Sequence, residues 1–129
     1  MKINLLIIIL TITLLVSCKK RVTNKIQGKW NMVPLNEYFI DKNVSWDFAE
    51  NDNLIITTIS SDTTKIDSAK YIIKVNALGK KTIEITEREK NNGTYLINKI
   101  SKTILKLQRT AKEDGETAGA FLWYEFVKP

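Results

Sequence analysis

An all-β fold, a small antiparallel up-and-down meander barrel of about eight strands, is what residues 26–129 predict. Three observations carry the prediction. Apolar and polar residues alternate with period two through short segments, the rhythm of strands with one buried face. Clusters of Asn, Asp, Gly and Lys separate the segments at hairpin spacing. Successive antiparallel neighbours leave two raw edges unless the first and last strands meet, and closure pairs both.

The segments follow in order. Residues 26–33 set Ile26, Gly28, Trp30 and Met32 against Gln27, Lys29 and Asn31. Residues 44–50 place Val44, Trp46 and Phe48 on one face, and 54–60 are rich in β-branched residues. Residues 68–76 oppose Tyr71, Ile73 and Val75 to Lys70, Ile72 and Lys74; residues 81–88 oppose Ile83 and Ile85 to Thr82, Glu84 and Thr86. Segments 94–101, 103–108 and 120–128 complete the set. In the last, Leu122, Tyr124 and Phe126 face one way, while Phe121, Trp123 and Val127 face the other with only Glu125 between them. Both faces are apolar, so Phe121 and Trp123 are candidate partner contacts. The reversals fall at Asn51-Asp52-Asn53, Ala77-Leu78-Gly79-Lys80 and Asn91-Asn92-Gly93, all rich in residues that tolerate positive φ. After Pro34, Leu35, Tyr38 and Phe39 fall at i, i+3 and i+4, which predicts a helical turn folded back over the barrel.

The start of the chain is of another kind. Met1 and Lys2 form a charged head, residues 3–16 are apolar apart from Asn4, Thr11 and Thr13, and Ser17 precedes the single cysteine, Cys18. That is the layout of an export signal. The run is interrupted by Ser17, Cys18, Lys19, Lys20 and Arg21, short of the roughly 20 apolar residues a spanning helix needs. Leu15-Val16-Ser17-Cys18 resembles the bacterial lipobox, which implies a thioether-linked diacylglycerol on Cys18, cleavage before it, and acylation of the new amino group with fatty acids such as palmitate. The division is then 1–17 signal, 18–25 lipidated anchor and linker, 26–129 barrel. At about 0.8 kcal/mol per buried methylene, two or three acyl chains anchor the protein without a protein span. An extended Lys19 to Lys25 reaches at most roughly 25 Å.

Charge divides the same way. The formal charge is +6, but setting aside Lys2, Lys19, Lys20, Arg21 and Lys25 leaves 15 of the 20 basic residues against 14 acidic ones. A nearly neutral domain without a basic stripe excludes nucleic acid as a partner. The basic cluster after Cys18 suits anionic lipid head groups, or simply a solvated spacer.

Gly28-Lys29-Trp30, opening the first strand after such an anchor, with Tyr95 to Ile97 and the closing Trp123-Tyr124-Glu125-Phe126, resembles the lipocalin-like lipoproteins of the Bacteroidota type over residues 26–129. The resemblance implies that Gly28 and Trp30 match the G-x-W motif, that Trp30 plugs the closed end of the barrel, and that a basic side chain packs over it. Arg109 is the candidate for that role. It also implies a small apolar ligand as cargo. Trp30, Trp46, Phe48, Tyr71, Tyr95 and Tyr124 are the barrel-interior and ligand candidates. Their bulk favours filling, because eight strands enclose room for side chains or for one small ligand.

No enzyme is expected. Without histidine the chain lacks the usual general base and the commonest metal ligand, and a lipidated Cys18 removes thiolate chemistry and structural zinc. No cofactor or metal is expected. Lys112-Glu113-Asp114-Gly115-Glu116 lacks calcium-loop spacing and reads as a solvated hairpin. Asp62-Thr63-Thr64 and Asp67-Ser68-Ala69 resemble Bacteroidota O-glycosylation sites, making Thr63 and Ser68 candidates against the reading of a plain polar loop. Three functional classes remain: a non-catalytic lipoprotein carrying a small apolar ligand or serving as an envelope binding module, an accessory subunit of an outer-membrane complex with a filled barrel, and, more distant, an enzyme or inhibitor. Lys19 after the cysteine, and no acidic residue from there to Asn36, point to the periplasmic face of the outer membrane, with the cell surface as alternative.

Overall fold

The computed structural model describes residues 2–34, 42–118 and 123–129, with the side chains of residues 2, 3, 5, 6 and 15 outside the description. The apolar start is helical: α1 runs Lys2–Ile26. Its threonines direct their hydroxyls inward along the helix, Thr11 to Ile8 O and Thr13 to Leu10 O, both at 2.8 Å, so the polar groups in the run are satisfied locally. From Ile7 to Val16 the described apolar side chains are exposed, and Cys18 is exposed too. Among the described residues no helix is long and apolar enough to cross a membrane. The last two turns of α1 behave differently, because Val22 and Ile26 are buried in the same core as the barrel. Ile26 therefore belongs to the helix and not to the first strand.

Gly28, at φ +100°, turns the chain out of α1, a conformation that favours glycine. Eight strands follow: β1 (Gly28–Met32), β2 (Asn43–Phe48), β3 (Asn53–Ile59), β4 (Thr64–Val75), β5 (Lys81–Thr86), β6 (Gly93–Ile100), β7 (Ile104–Lys112) and β8 (Trp123–Val127). Each pairs antiparallel with the next, and β8 returns to β1 through Asn31↔Val127 and Met32↔Phe126, closing the barrel. The predicted meander barrel is the observed one. Asn51 and Asp52 take positive φ in the β2–β3 turn, Gly79 in β4–β5 and Asn91 before β6, as tight reversals require.

Two strands are longer than their alternation suggested. β4 starts at Thr64, because Thr64 to Ser68 pair with Ile59 to Ile55 of β3; that stretch is strand rather than polar loop. β7 continues to Lys112 by pairing with β6 across irregularities at Thr94/Tyr95 and Ile97/Lys99. Gly93, at φ +137°, sits where a Cβ would lie 2.1 Å from Ala111 O, so only glycine lets the two strands approach there.

The barrel has two unlike ends. At the first, α1 enters and packs on β4 and β6, and the β2–β3, β4–β5 and β6–β7 turns are short. At the second lie the β1–β2, β3–β4, β5–β6 and β7–β8 connections. The expected helical turn of Leu35, Tyr38 and Phe39, and the expected facing of Phe121 and Leu122, lie outside the described residues.

Candidate binding site at the second end of the barrel

The period-two face that points inward brings the predicted aromatic residues together. Trp30, Trp46, Phe48, Tyr71 and Tyr95 are buried, and Tyr124 packs half-buried against them. Trp46 is the hub, with ring centroids 5.0 Å from Phe126, 5.9 Å from Tyr124, 6.0 Å from Tyr95 and 6.1 Å from Phe48. Phe48 meets Tyr71 edge to face at 5.1 Å, the geometry that the ring quadrupoles favour. Leu54, Ile56, Ile83, Ile85, Leu105 and Leu107 complete the filling. The inward side chains thus occupy the interior with each other.

At the first end, Trp30 Nε1 donates to Ile26 O at 2.7 Å, tying β1 to the last turn of α1. The basic group over its ring is Lys128, whose Nζ lies 4.6 Å from the ring centroid and donates to Gln27 O at 2.8 Å. Arg109 does not occupy that position. By the alternation of Leu105 and Leu107 it points inward near the opposite end, where it donates to Asn91 Oδ1 and to Asn92 O. The sequence pattern could not reveal Lys128, since its hydrogen bond to Gln27 joins residues 101 apart.

The second end is polar. Continuing the alternation of Ile83 and Ile85 would send Glu87 inward, but Glu87 has φ +59° and is exposed, and the phase passes to Arg88. Asn92 fixes this loop by accepting from Arg88 N at 2.9 Å and donating to Arg88 O at 2.8 Å. Arg88 Nε donates to Asp67 Oδ2 at 3.0 Å, and its guanidinium carbon stands 5.6 Å from the Trp46 ring centroid. A cleft of about 160 Å³ opens here between Ile56, Thr58, Asp67, Arg88 and Asn91, rimmed by Lys65, Glu89 and Lys90. Lys65 and Glu89 pair at 2.6 Å. Tyr95 donates to Asn91 O, and burial, reinforced by Tyr124, pushes its phenol up despite Arg109 and Arg88.

Two buried donors, Trp46 Nε1 and Arg109 Nε, have no hydrogen-bond partner among the described residues. Neither residue is among those that line the cleft. Arg88 and Asp67 were not singled out from sequence; carrying the inward alternation of β4 back from Ala69 would have found Asp67, whereas the shift at Glu87 hides Arg88.

The remaining predicted residues lie elsewhere. Trp123 faces outward on β8, 42% exposed, and Phe121 lies outside the described residues. Thr63 is exposed in the β3–β4 turn, where Ser60 N donates to Thr63 O, and Ser68 is exposed on β4. Lys112 to Glu116 form an exposed turn closed by Lys112 N to Glu116 O, with a Lys112–Glu116 ion pair. No family model, curated protein or solved structure matches the chain. What the geometry defines is a closed, eight-stranded antiparallel barrel with a packed interior.

Proposed function

We propose that this chain is a non-catalytic, lipocalin-like lipoprotein, anchored to a membrane through lipid on Cys18, whose barrel is a filled scaffold and whose binding takes place at the polar second end. The observation that carries the reading is the packing of four aromatic rings about Trp46, which fills the described interior. A carrier of apolar ligands needs small inward residues or a void, since ligand pockets are concave and mostly apolar. This favours an envelope binding module or accessory subunit over a small-molecule carrier. Address at the periplasmic face of the outer membrane accords with Lys19 and the acid-free stretch beyond it.

The anchor supports the same picture. Cys18, Val22 and Ile26 are spaced by four along α1 and share one side of the helix. A helical Cys18 to Ile26 rises roughly 12 Å, half the reach of an extended linker, so the first end stays close to the bilayer and the polar second end points away from it.

The test is metabolic labelling with palmitate combined with an apolar fluorescent dye. Labelled wild type, unlabelled Cys18→Ala and no dye enhancement support the reading. Label retained by Cys18→Ala, or dye taken up stoichiometrically by the purified protein, contradicts it.

A further inference from the structure

We infer that the first end of the barrel docks on an anionic phospholipid surface, through the basic outer side of α1, the lysines of two flanking turns and the side chain of Leu78. The inference deepens the proposed membrane anchoring and rests on lipid at Cys18. This end is described throughout: α1 enters it, and its turns are 49–52, 76–80 and 101–103. The helix meets the barrel with one side, since Val22 and Ile26 are buried in the core. At about 3.6 residues per turn, Lys20, Arg21 and Asn24 fall on the opposite side. With Ser17 and Lys25 they line one groove on the helix surface. Helix α1 packs on β4 and β6, and the turns that follow those two strands carry Lys80 and Lys102, both exposed.

The two ends of the barrel carry opposite charge. In residues 18–27, the first-end turns and residues 128–129, seven basic side chains stand against two acidic ones, Glu50 and Asp52. In the second-end connections 60–63, 87–92 and 113–118, six acidic side chains stand against two basic ones. Such a molecule orients in the field of an anionic surface with its first end inward. The anchor selects phospholipid as that surface. Cys18 stands one helical turn before the buried Val22, so acyl chains on it bring this end to the headgroups. Leu78 adds an apolar contact. It is 93% exposed at the tip of the β4–β5 turn, and the turn is pre-formed: Asn76 Oδ1 accepts from Leu78 N at 3.1 Å and from Lys80 N at 2.8 Å, while Asn76 N donates to Lys80 O at 3.0 Å. From Ile72 to Val75, β4 pairs with β5 and no longer with β3, so the turn extends past the end of β3. A lone exposed leucine is ordinary, but one presented beside lysines at the anchored end suits the boundary between acyl chains and phosphates.

The test uses the protein purified from membranes and reconstituted in nanodiscs of phosphatidylcholine, alone or mixed with phosphatidylglycerol. A polarity-sensitive dye is coupled to the thiol of Leu78→Cys or, as the second-end control, of Thr63→Cys; the only other thiol is Cys18, which its lipid blocks. The Leu78→Cys dye is expected to shift to the blue on the anionic discs alone, and the Thr63→Cys dye to stay unmoved. Adding Lys20→Gln, Lys25→Gln, Lys80→Gln and Lys102→Gln should abolish the shift. All four lysines are exposed, and an unchanged urea midpoint shows that the fold is kept. Raised salt should reverse the shift without any of the four changes, since exposed charges are screened. No shift at Leu78→Cys, an equal shift on both kinds of disc, or a shift that survives both the lysine changes and salt overturns the docking and leaves the anchor standing. A larger shift at Thr63→Cys overturns the orientation and the docking with it. Two dyes per chain reveal a free Cys18 and overturn the anchor together with the docking that rests on it.

Discussion

Trp30 joins three parts of the chain: its ring is buried under Lys128 from the C-terminal end, and its indole N–H is held by Ile26 at the end of α1. Replacing Trp30 with alanine is expected to cost about 3–5 kcal/mol in urea unfolding, the usual loss for a large buried aromatic. Membrane attachment, which we propose rests on lipid at Cys18, should survive. Lys128→Met keeps the apolar stem but removes the charge over the ring; a loss of about 0.5–2 kcal/mol is expected, in line with a partly desolvated cation–π contact. Equal stability of Lys128→Met and wild type would mean that the contact contributes nothing. Gly28 belongs to the same cluster, since a Cβ there would lie 3.0 Å from Lys128 Nζ at a backbone conformation that favours glycine. The G-x-W pattern was legible in the sequence, but its basic partner was not. Alternation tells which way a side chain points, and says nothing about which distant residue closes over it.

Among the elements, the hairpins were the most legible. Asn51-Asp52, Gly79 and Asn91 carry the positive φ values their residue types suggest, and the strands between them follow from alternation. Strand lengths were less so. The polar start of β4 has no apolar face to announce it, and pairing with β3 alone makes it a strand. The two ends of β7 and β8 meet through a connection whose turn, Lys112 to Glu116, was readable because its residues are polar and its Gly115 takes positive φ. The largest departure is α1, whose final turns are part of the core. A run of basic residues from Lys19 to Lys25 obscures Val22 and Ile26, which lie on one helical face. Ile26→Ala is expected to lower barrel stability by about 2–5 kcal/mol, as for other buried isoleucines. Chemical unfolding followed by tryptophan fluorescence checks this; an effect within error would mean that α1 does not brace the barrel.

For the whole molecule, filling the barrel with aromatic rings has a consequence in alkali. Burial raises the phenol of Tyr95 well above its ordinary range, with Tyr124 adding to the effect, and raises that of Tyr71, where Asp52 and Asp47 add to it. A phenol whose folded pKa exceeds the unfolded value of about 10 contributes stability that is complete below that pH and is lost as pH rises through the folded pKa. Unfolding midpoints should therefore be level up to about pH 10 and fall above it. In Tyr95→Phe, which removes the titrating hydroxyl, the fall should be shallower.

The outer surface contributes in a different way. Ile55, Ile59, Ile66 and Ile72 are exposed on neighbouring β3 and β4, with Trp123 and Val127 exposed on β8. The described inward side chains pack on one another while these apolar groups remain outside.

The central claim, a lipid-anchored barrel that carries nothing inside, is tested most directly by native mass spectrometry of the protein extracted from membranes in mild detergent. The predicted mass is that of the chain from Cys18 onward plus its acylglyceryl groups, with no further mass released on gentle activation. A mass equal to the full chain without lipid, or a complex that sheds an apolar small molecule, would contradict the account.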